Sequence, residues 1–299
     1  MNNKLLGKSV VLISLISVIL IISALGYILL EIYIGGKDYL TWEFITSAPR
    51  EGMTEGGIFP AIVGTVLLVI LMSVACVPLG TITAIYLHEY SNRNSFFTRM
   101  IRFGVNTLAG VPAIVFGLFG LGFFIQFIGT GMDNLLVGDG NLRWGQPNIL
   151  WASLTMAFLT IPIVIVSVEE SLKNVPDELR AGGFALGATK WQIIRKIVIP
   201  NSISGILTGS ILAIGRGAGE VAPILFTGAA YFLPHLPQKP TDQFMNLGYH
   251  IYVMATQSTD VEATKGIQYA TAFILLACTF SLTFIAVFIR YRFRKKIKA

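Results

Sequence analysis

The sequence predicts an all-α membrane protein with six transmembrane helices. Of its 299 residues 54% are hydrophobic and only 13% charged, and the mean hydropathy is +0.71. That balance does not suit a water-soluble domain. Six apolar runs approach or exceed the roughly 18–20 residues a helix needs to cross a bilayer. The Lys and Arg residues fall overwhelmingly on alternate sides of those runs, as they do in multi-pass chains.

The first run, Val10–Leu30, follows Lys4 and Lys8. It is longer than the apolar core of a signal peptide and ends without a small-residue cleavage pattern, so it reads as a retained span. The outer loop Glu31–Gly57 follows, with Tyr33, Tyr39, Trp42 and Phe44 expected in an aromatic interface belt. The remaining spans are read as Ile58–Tyr86, Gly104–Thr130, Ile149–Glu169, Ile203–Ala230 and Gln268–Ile289. Pro78, Pro112, Pro162 and Pro223 lie inside them, as membrane helices tolerate. Gly117, Gly120 and Gly122 are expected at close helix contacts. The outer segment Tyr231–Ile267 carries Pro234, Pro237 and Pro240, then a stretch Phe244–Thr256 that reads as a short interfacial helix. The expected division is residues 1–57, a first span and its loop, and residues 58–299, the membrane core.

Orientation follows from the basic residues. With the N-terminus inside, 16 of the 22 lie on the inner side, among them Arg93, Arg99, Arg102, Lys173, Arg180, Lys190, Arg195, Lys196 and the tail Arg290–Lys298. Five lie outside (Lys37, Arg50, Arg143, Lys239 and Lys265), and Arg216 lies within a span. Both termini are therefore expected in the cytoplasm. The basic tail directly after a span reads as an anchor at anionic headgroups, not as a nucleic-acid site.

Enzymatic and metal chemistry find little support. Gly182-x-x-x-x-Gly187 is followed by Ala188 where a P-loop needs Lys, and Gly215-x-Gly217-x-Gly219 lacks the dinucleotide spacing. His88, His235 and His250 are far apart without Cys partners, so no metal site is expected. Cys76 and Cys278 lie in apolar runs and read as small buried hydrophobes. Uphill movement of a solute would need ATP hydrolysis from a partner, with no cofactor bound by this chain.

The segment between spans four and five, Glu178–Pro200, is polar and partly basic. Asp177 and Glu178 suit a helix N-terminus, where acids meet the positive end of the dipole. Gly187 suits the left-handed residue that ends a helix. Thr189-x-x-Gln192 forms a capping box that opens a second short helix, expected to end at Pro200. A helix, a glycine corner and a second helix on an inner loop is a shape that docks into another protein.

Span five contains Gly-Arg-Gly-Ala-Gly-Glu-Val-Ala-Pro, with Arg216 and Glu220 four residues apart and so on one helix face. A charge at membrane depth is costly and is expected to be paired. Two readings stand side by side: a self-satisfying structural ion pair, or a pair facing an aqueous pathway. In the second, the guanidinium fork would meet an oxyanion and Glu220 would hold or release Arg216.

Gly187, nine residues, then Ile197-x-Ile199-Pro200 resembles the loop of ABC importer permeases, written EAA-x3-G-x9-I-x-LP. Four stretches, Pro78–Ser91, Gly110–Gly120, Val175–Gly209 and Gly215–Gly228, resemble PstA-type permease subunits of phosphate importers. The resemblance implies a type I ABC importer permease fold with a cytoplasmic coupling helix, in the bacterial plasma membrane. It implies a homologous permease partner (PstC type), two copies of an ATP-binding subunit (PstB type) and an external phosphate-binding protein (PstS type). Glu178, Leu179, Phe184, Leu186, Gly187 and Trp191 would couple to the ATPase, and Arg216 and Glu220 would line the substrate pathway. This chain departs at Ala181-Gly182-Gly183, where the family loop has Glu-Ala-Ala, and at Val221, commonly Thr. Each glycine is expected to cost the coupling helix roughly 1 kcal/mol relative to alanine. Permeases for molybdate or sulfate, an ATPase-independent secondary transporter and a non-transporting membrane scaffold remain alternatives.

Overall fold

A computed structural model of the chain describes residues 3–53, 55–92, 94–136, 138, 142–258 and 260–298. Arg93, counted above toward orientation, lies outside them, as do the side chains of Lys4, Lys8 and the basic residues beyond Phe293.

The helices are α1 (Asn3–Gly36), α2 (Trp42–Thr46), α3 (Phe59–Ile85), α4 (Phe96–Leu108), α5 (Ala113–Phe119), α6 (Thr130–Leu136), α7 (Ile149–Lys173), α8 (Asp177–Ala185), α9 (Lys190–Ile193), α10 (Ile199–Gly219), α11 (Leu247–Thr256) and α12 (Lys265–Lys298). A two-residue hairpin pairs β1 (Pro49–Arg50) with β2 (Glu55–Gly56). Wider turns of the i→i+5 kind continue α3 through Tyr86–Tyr90, join α5 to α6 through Gly120–Gly129, and join α9 to α10 through Ile194–Val198. Among the described residues six continuous helical stretches are long and apolar enough to cross a membrane: Ser9–Tyr39, Phe59–Tyr90, Ala113–Leu136, Ile149–Lys173, Lys190–Gly219 and Lys265–Phe293.

The centre of the bundle is α3, α7 and α10, whose side chains Leu68, Met72, Met156, Val164, Val168 and Ala213 are fully buried together. Lipid offers no hydrophobic drive between helices, so close approach depends on small residues. Gly80 faces Val164, and Gly205 and Gly209 face Ser171 and Ser167. On the outside of this core α12 packs on α10, and α1 lies against α12, with Gly35 and Gly36 on Tyr269 and Ala270.

Two spans differ from the sequence reading, for reasons of backbone chemistry. The third begins at Ala113, not Gly104, because Pro112 takes an extended conformation and disfavours helix in the residue before it. The segment before it is the separate amphipathic helix α4. The fifth runs from Lys190 to Gly219 instead of Ile203–Ala230. Pro200 does not end a helix: the wide turn just before it, closed by Ile199 N–H to the Ile194 carbonyl, accommodates a residue with no N–H to give. The Asn201 side chain takes up the Ile197 carbonyl at 2.7 Å and Ser202 that of Val198 at 2.9 Å. At the other end Glu220 is extended and Pro223 opens a 3₁₀ turn, Ala222–Leu225, so Pro223 follows a break instead of bending a span.

The chain between Glu220 and Lys265 then fills the end of the bundle opposite α8. Gly117 packs on Ala222 and Pro223, and Gly120 on Thr155 and Thr227, as expected of them; Gly122 touches nothing. Ala230 N–H donates to the Phe244 carbonyl at 2.8 Å, and Phe244 is fully buried. Between Ala222 and Ala230 this irregular backbone is tolerated because it is largely buried against protein that satisfies it. Helix α11, capped by Asn246, lies inside the predicted Phe244–Thr256 and is docked against α3 and α12. Phe44 likewise leaves the expected aromatic belt for the core, whereas Tyr33, Tyr39 and Trp42 are exposed.

Candidate functional site

Two groups of residues stand out, at different levels of the same helix. The first is the corner α8–Gly187–α9. Gly187 has φ +78°, the left-handed conformation that a Cβ disfavours, and its N–H closes on the Phe184 carbonyl at 2.9 Å. Both bonds of the capping box are made: Gln192 N–H to Thr189 Oγ1 at 3.3 Å, and Thr189 N–H to Gln192 Oε1 at 2.8 Å. The second helix does not stop; it is the first turn of span five.

The corner turns its apolar residues outward. Leu186 is 90% exposed and Phe184 54%, and Leu179 and Trp191 are also exposed. They therefore do not pack the loop against its own chain. Glu178 is exposed beside them, in the first turn of α8. The helix runs unbroken through Gly182 and Gly183. Gly183 has a packing reason to be glycine, since a Cβ there would lie 2.9 Å from Ile193 Cγ1 and 3.2 Å from Ile197 Cδ1. Gly182 faces open space.

What fixes α8 in place is Arg180, which the sequence reading used only for orientation. Its Nη1 donates to the Val175 carbonyl at 2.6 Å and to Asp177 at 3.0 Å; its Nη2 donates to the Leu172 carbonyl at 3.0 Å and to Glu89 Oε1 at 2.9 Å. A second pair alongside joins Arg102 on α4 to Glu169 on α7 at 2.9 Å. Glu89 and Glu169 are carboxylates at the ends of apolar runs, where an unpaired charge is expensive. That cost was a usable signal for a basic partner, but separations of 91 and 67 residues concealed which one.

The second group is Arg216 and Glu220. Arg216 lies 16 residues past Pro200, roughly 24 Å along the helix axis at about 1.5 Å per residue. It sits in the last turn of α10, where a cation complements the negative end of the helix dipole. Glu220 is the residue that ends the helix, so the two do not share a continuous helical face as expected. They nevertheless meet, Nε to Oε1, at 3.3 Å. Of the glycines around the pair, Gly217 is the packing point: a Cβ there would lie 2.5 Å from Met72 Sδ on α3. Among the described residues no three His, Cys, Asp or Glu side chains gather to hold a metal.

The pattern of the family described as "Binding-protein-dependent transport system inner membrane component" matches residues 76–298. The chain belongs to that family. Among curated relatives of this inner membrane component, the phosphate transport system permease protein PstA of Haemophilus influenzae is 31% identical over 287 residues, 95% of this chain and 93% of that one. The PstA of Yersinia pestis is 39% identical over 184 residues, and that of Mycobacterium leprae 38% over 170. Those two matches take in 62% and 57% of this chain, and the chain spans only 57% and 50% of those relatives' length. Solved structures with the same fold include a bacterial alginate ABC transporter (TM-score 0.64, 14% identity, 98% of this chain and 97% of that one) and the MetNI methionine ABC transporter in an inward facing conformation (0.51, 17%, 81% and 94%). The fold is thus that of an ABC importer permease with six membrane helices.

Proposed function

We propose that this chain is the permease subunit of an ATP-driven importer that moves inorganic phosphate across the bacterial plasma membrane into the cytoplasm. The observation that carries the ATP-driven part is the corner itself. A capped, glycine-turned loop between two spans exposes Phe184 and Leu186, with Leu179 and Trp191 beside them, where solvent alone would make them a liability. Burying a large apolar side chain contributes roughly 1.5–3 kcal/mol, so a few such anchors seated in a groove of an ATPase make a hot spot. Phosphate as substrate is supported by the names of the full-length relatives.

In this reading the ATP-binding subunits, two copies of the PstB type, bind and hydrolyse ATP; the permease holds no cofactor. A PstC-type permease completes the membrane pair and a PstS-type protein delivers phosphate from outside. Both termini and the α8 corner lie in the cytoplasm, as the distribution of Lys and Arg supports. Residues 58–299 are the permease core, and residues 1–57 add a peripheral span, consistent with the packing of α1 chiefly on α12.

ATP-driven closure of the ATPase pair moves α8 as a rigid body and switches the permease pair between outward and inward openings. Arg216 offers its Nη fork to the oxyanion, and Glu220 competes for the same guanidinium. A site with a built-in competitor favours passage over storage.

The test is radiolabelled phosphate uptake in cells deleted for this chain and then complemented with it, with unlabelled sulfate and molybdate as competitors. Uptake that returns with the chain and resists both competitors supports the reading. Competition by molybdate or sulfate would reassign the substrate, and uptake independent of the ATPase would reject the class.

A further inference from the structure

We infer that Arg180 and Glu89 are positioning residues that deliver the movement of α8 to α3, and through α3 to the helix end that carries Arg216. The inference rests on the reading of α8 as the ATPase-docking element.

Helix α8 is joined through the chain to α7 before it and to α10 after it, so a push on α8 reaches both through the backbone. It has no such connection to α3. The bond from Arg180 Nη2 to Glu89 Oε1, 2.9 Å long, supplies one across 91 residues of sequence. The pair suits a mechanical link. The Arg180 side chain is 15% exposed and that of Glu89 9%, so water screens it little. Arg180 is also tied by both terminal nitrogens across the α7–α8 junction, through the carbonyls of Leu172 at the end of α7 and Val175 between the helices and through Asp177 at the start of α8. The guanidinium therefore moves with the α7–α8 junction as α8 is pushed, and Glu89 moves with it.

Glu89 lies in the wide turn Tyr86–Tyr90 that ends α3, where Ser91 N–H reaches back five residues to the Tyr86 carbonyl at 2.9 Å. The other wide turn on this side, Ile194–Val198, starts α10, and Gly183 of α8 packs onto Ile197 within it. Wide turns of this kind are local departures from the α-helix that recur at functional sites. One short helix thus abuts two of them, at the bases of α3 and α10. The same two helices meet again at Met72 and Gly217, one residue from Arg216. Unequal movement of α3 and α10 is converted there into displacement of Arg216 relative to Glu220, which lies beyond the helix end.

The experiment uses the complete transporter in proteoliposomes, loaded with labelled phosphate and binding protein outside, and reads phosphate moved per ATP hydrolysed. Glu89→Gln removes the charge while leaving the other Arg180 bonds in place. It is expected to lower phosphate per ATP about tenfold, the scale of a coupling between two sites, with the ATPase still in the complex. Glu89→Asp, which keeps the carboxylate, is expected to retain most of the coupling. A purely structural role would lower the yield of complex and leave the ratio unchanged. A wild-type ratio in Glu89→Gln overturns the inference, and so does release of the ATPase by that substitution, which would make the pair part of the docking surface. If Glu89→Gln does not insert, Arg180→Lys is read instead: one ammonium, with three N–H groups, cannot serve four acceptors spread over α7, α8 and the end of α3, and an unchanged ratio again overturns the inference. Phe184→Asp tests the underlying reading separately. If it leaves the ATPase bound, the docking reading fails whatever Glu89 does; if it releases the ATPase while Glu89→Gln stays coupled, only this inference fails.

Discussion

Of the three arginine–glutamate pairs among the described residues, two stand in opposite circumstances. Arg180 and Glu89 are nearly enclosed, and Arg180 uses both terminal nitrogens on four acceptors. The Arg216 and Glu220 side chains are 39% and 26% exposed, four residues apart, and meet through Nε at 3.3 Å. The first arrangement engages all four terminal N–H groups and cannot exchange partners without leaving a charge buried. The second keeps the guanidinium fork available and its partner within reach. Identical residue types therefore predict a strut in one place and a gate in the other.

The widest separation should appear in transport. Arg216→Gln is expected to abolish labelled phosphate uptake while the complex still assembles; normal uptake would remove Arg216 from the pathway. Stability should reverse the ranking. Arg180→Ala leaves Glu89 buried without its counter-charge and is expected to cost about 3–5 kcal/mol. Arg216→Ala, at a more exposed pair, is expected to cost about 1 kcal/mol or less. Unfolding in detergent, followed by the loss of helical signal, compares the two. Equal losses would break the distinction between strut and gate.

Another buried ionisable group sharpens the point, since no counter-charge meets it among the described residues. His250 on α11 is 2% exposed, and Nδ1 lies 3.4 Å from the Thr271 hydroxyl. Burial holds its pKa down at about 4. A base whose pKa is lower when folded binds its proton more readily when unfolded, so the fold is at full stability above pH about 6.5 and loses it as pH falls toward 4. The loss approaches about 3 kcal/mol at the low end of that window. His250→Gln should flatten the dependence; an unchanged pH profile would show that another group sets it.

Phe184→Asp ranks next and tests the docking face directly. It puts a charge where an apolar anchor seats and is expected to release the ATPase from detergent-solubilised complexes. Because Phe184 is exposed, the permease itself should fold as before.

These expectations draw on parts of the chain that were unequally legible in the sequence. Features written in local chemistry were readable: six apolar runs, the positive φ of Gly187, and the capping box of Thr189 and Gln192 all follow from residues within a few positions of one another. The break after Gly219 was concealed because the apolar run continues to Ala230, and hydropathy does not distinguish a helix from irregular backbone packed inside protein. Pro200 misled in the opposite sense, since a wide turn three-dimensionally absorbs a residue that local rules treat as a stop. Arg180 and Arg102 were seen as charges, yet their partners could be assigned only once the fold placed Glu89 and Glu169 beside them.

The smallest effects concern the glycines of the corner, and they decide whether α8 owes its helix to its own sequence or to Arg180. Gly182 sits within α8 facing open space, so Gly182→Ala meets no obstacle. It should stabilise the corner by about 0.5–1 kcal/mol through helix propensity alone. Gly187 also faces open space, but its φ of +78° penalises any side chain. Gly187→Ala should therefore destabilise by roughly 1–2 kcal/mol with no steric contribution. Hydrogen exchange of the α8 amides reads both. If Gly182→Ala slows exchange in the isolated permease, the helix is marginal by itself and its two glycines matter. If exchange is already slow and does not change, the clamp of Arg180 on Leu172, Val175 and Glu89 has settled the helix, and the glycines in place of Glu-Ala-Ala cost the corner little.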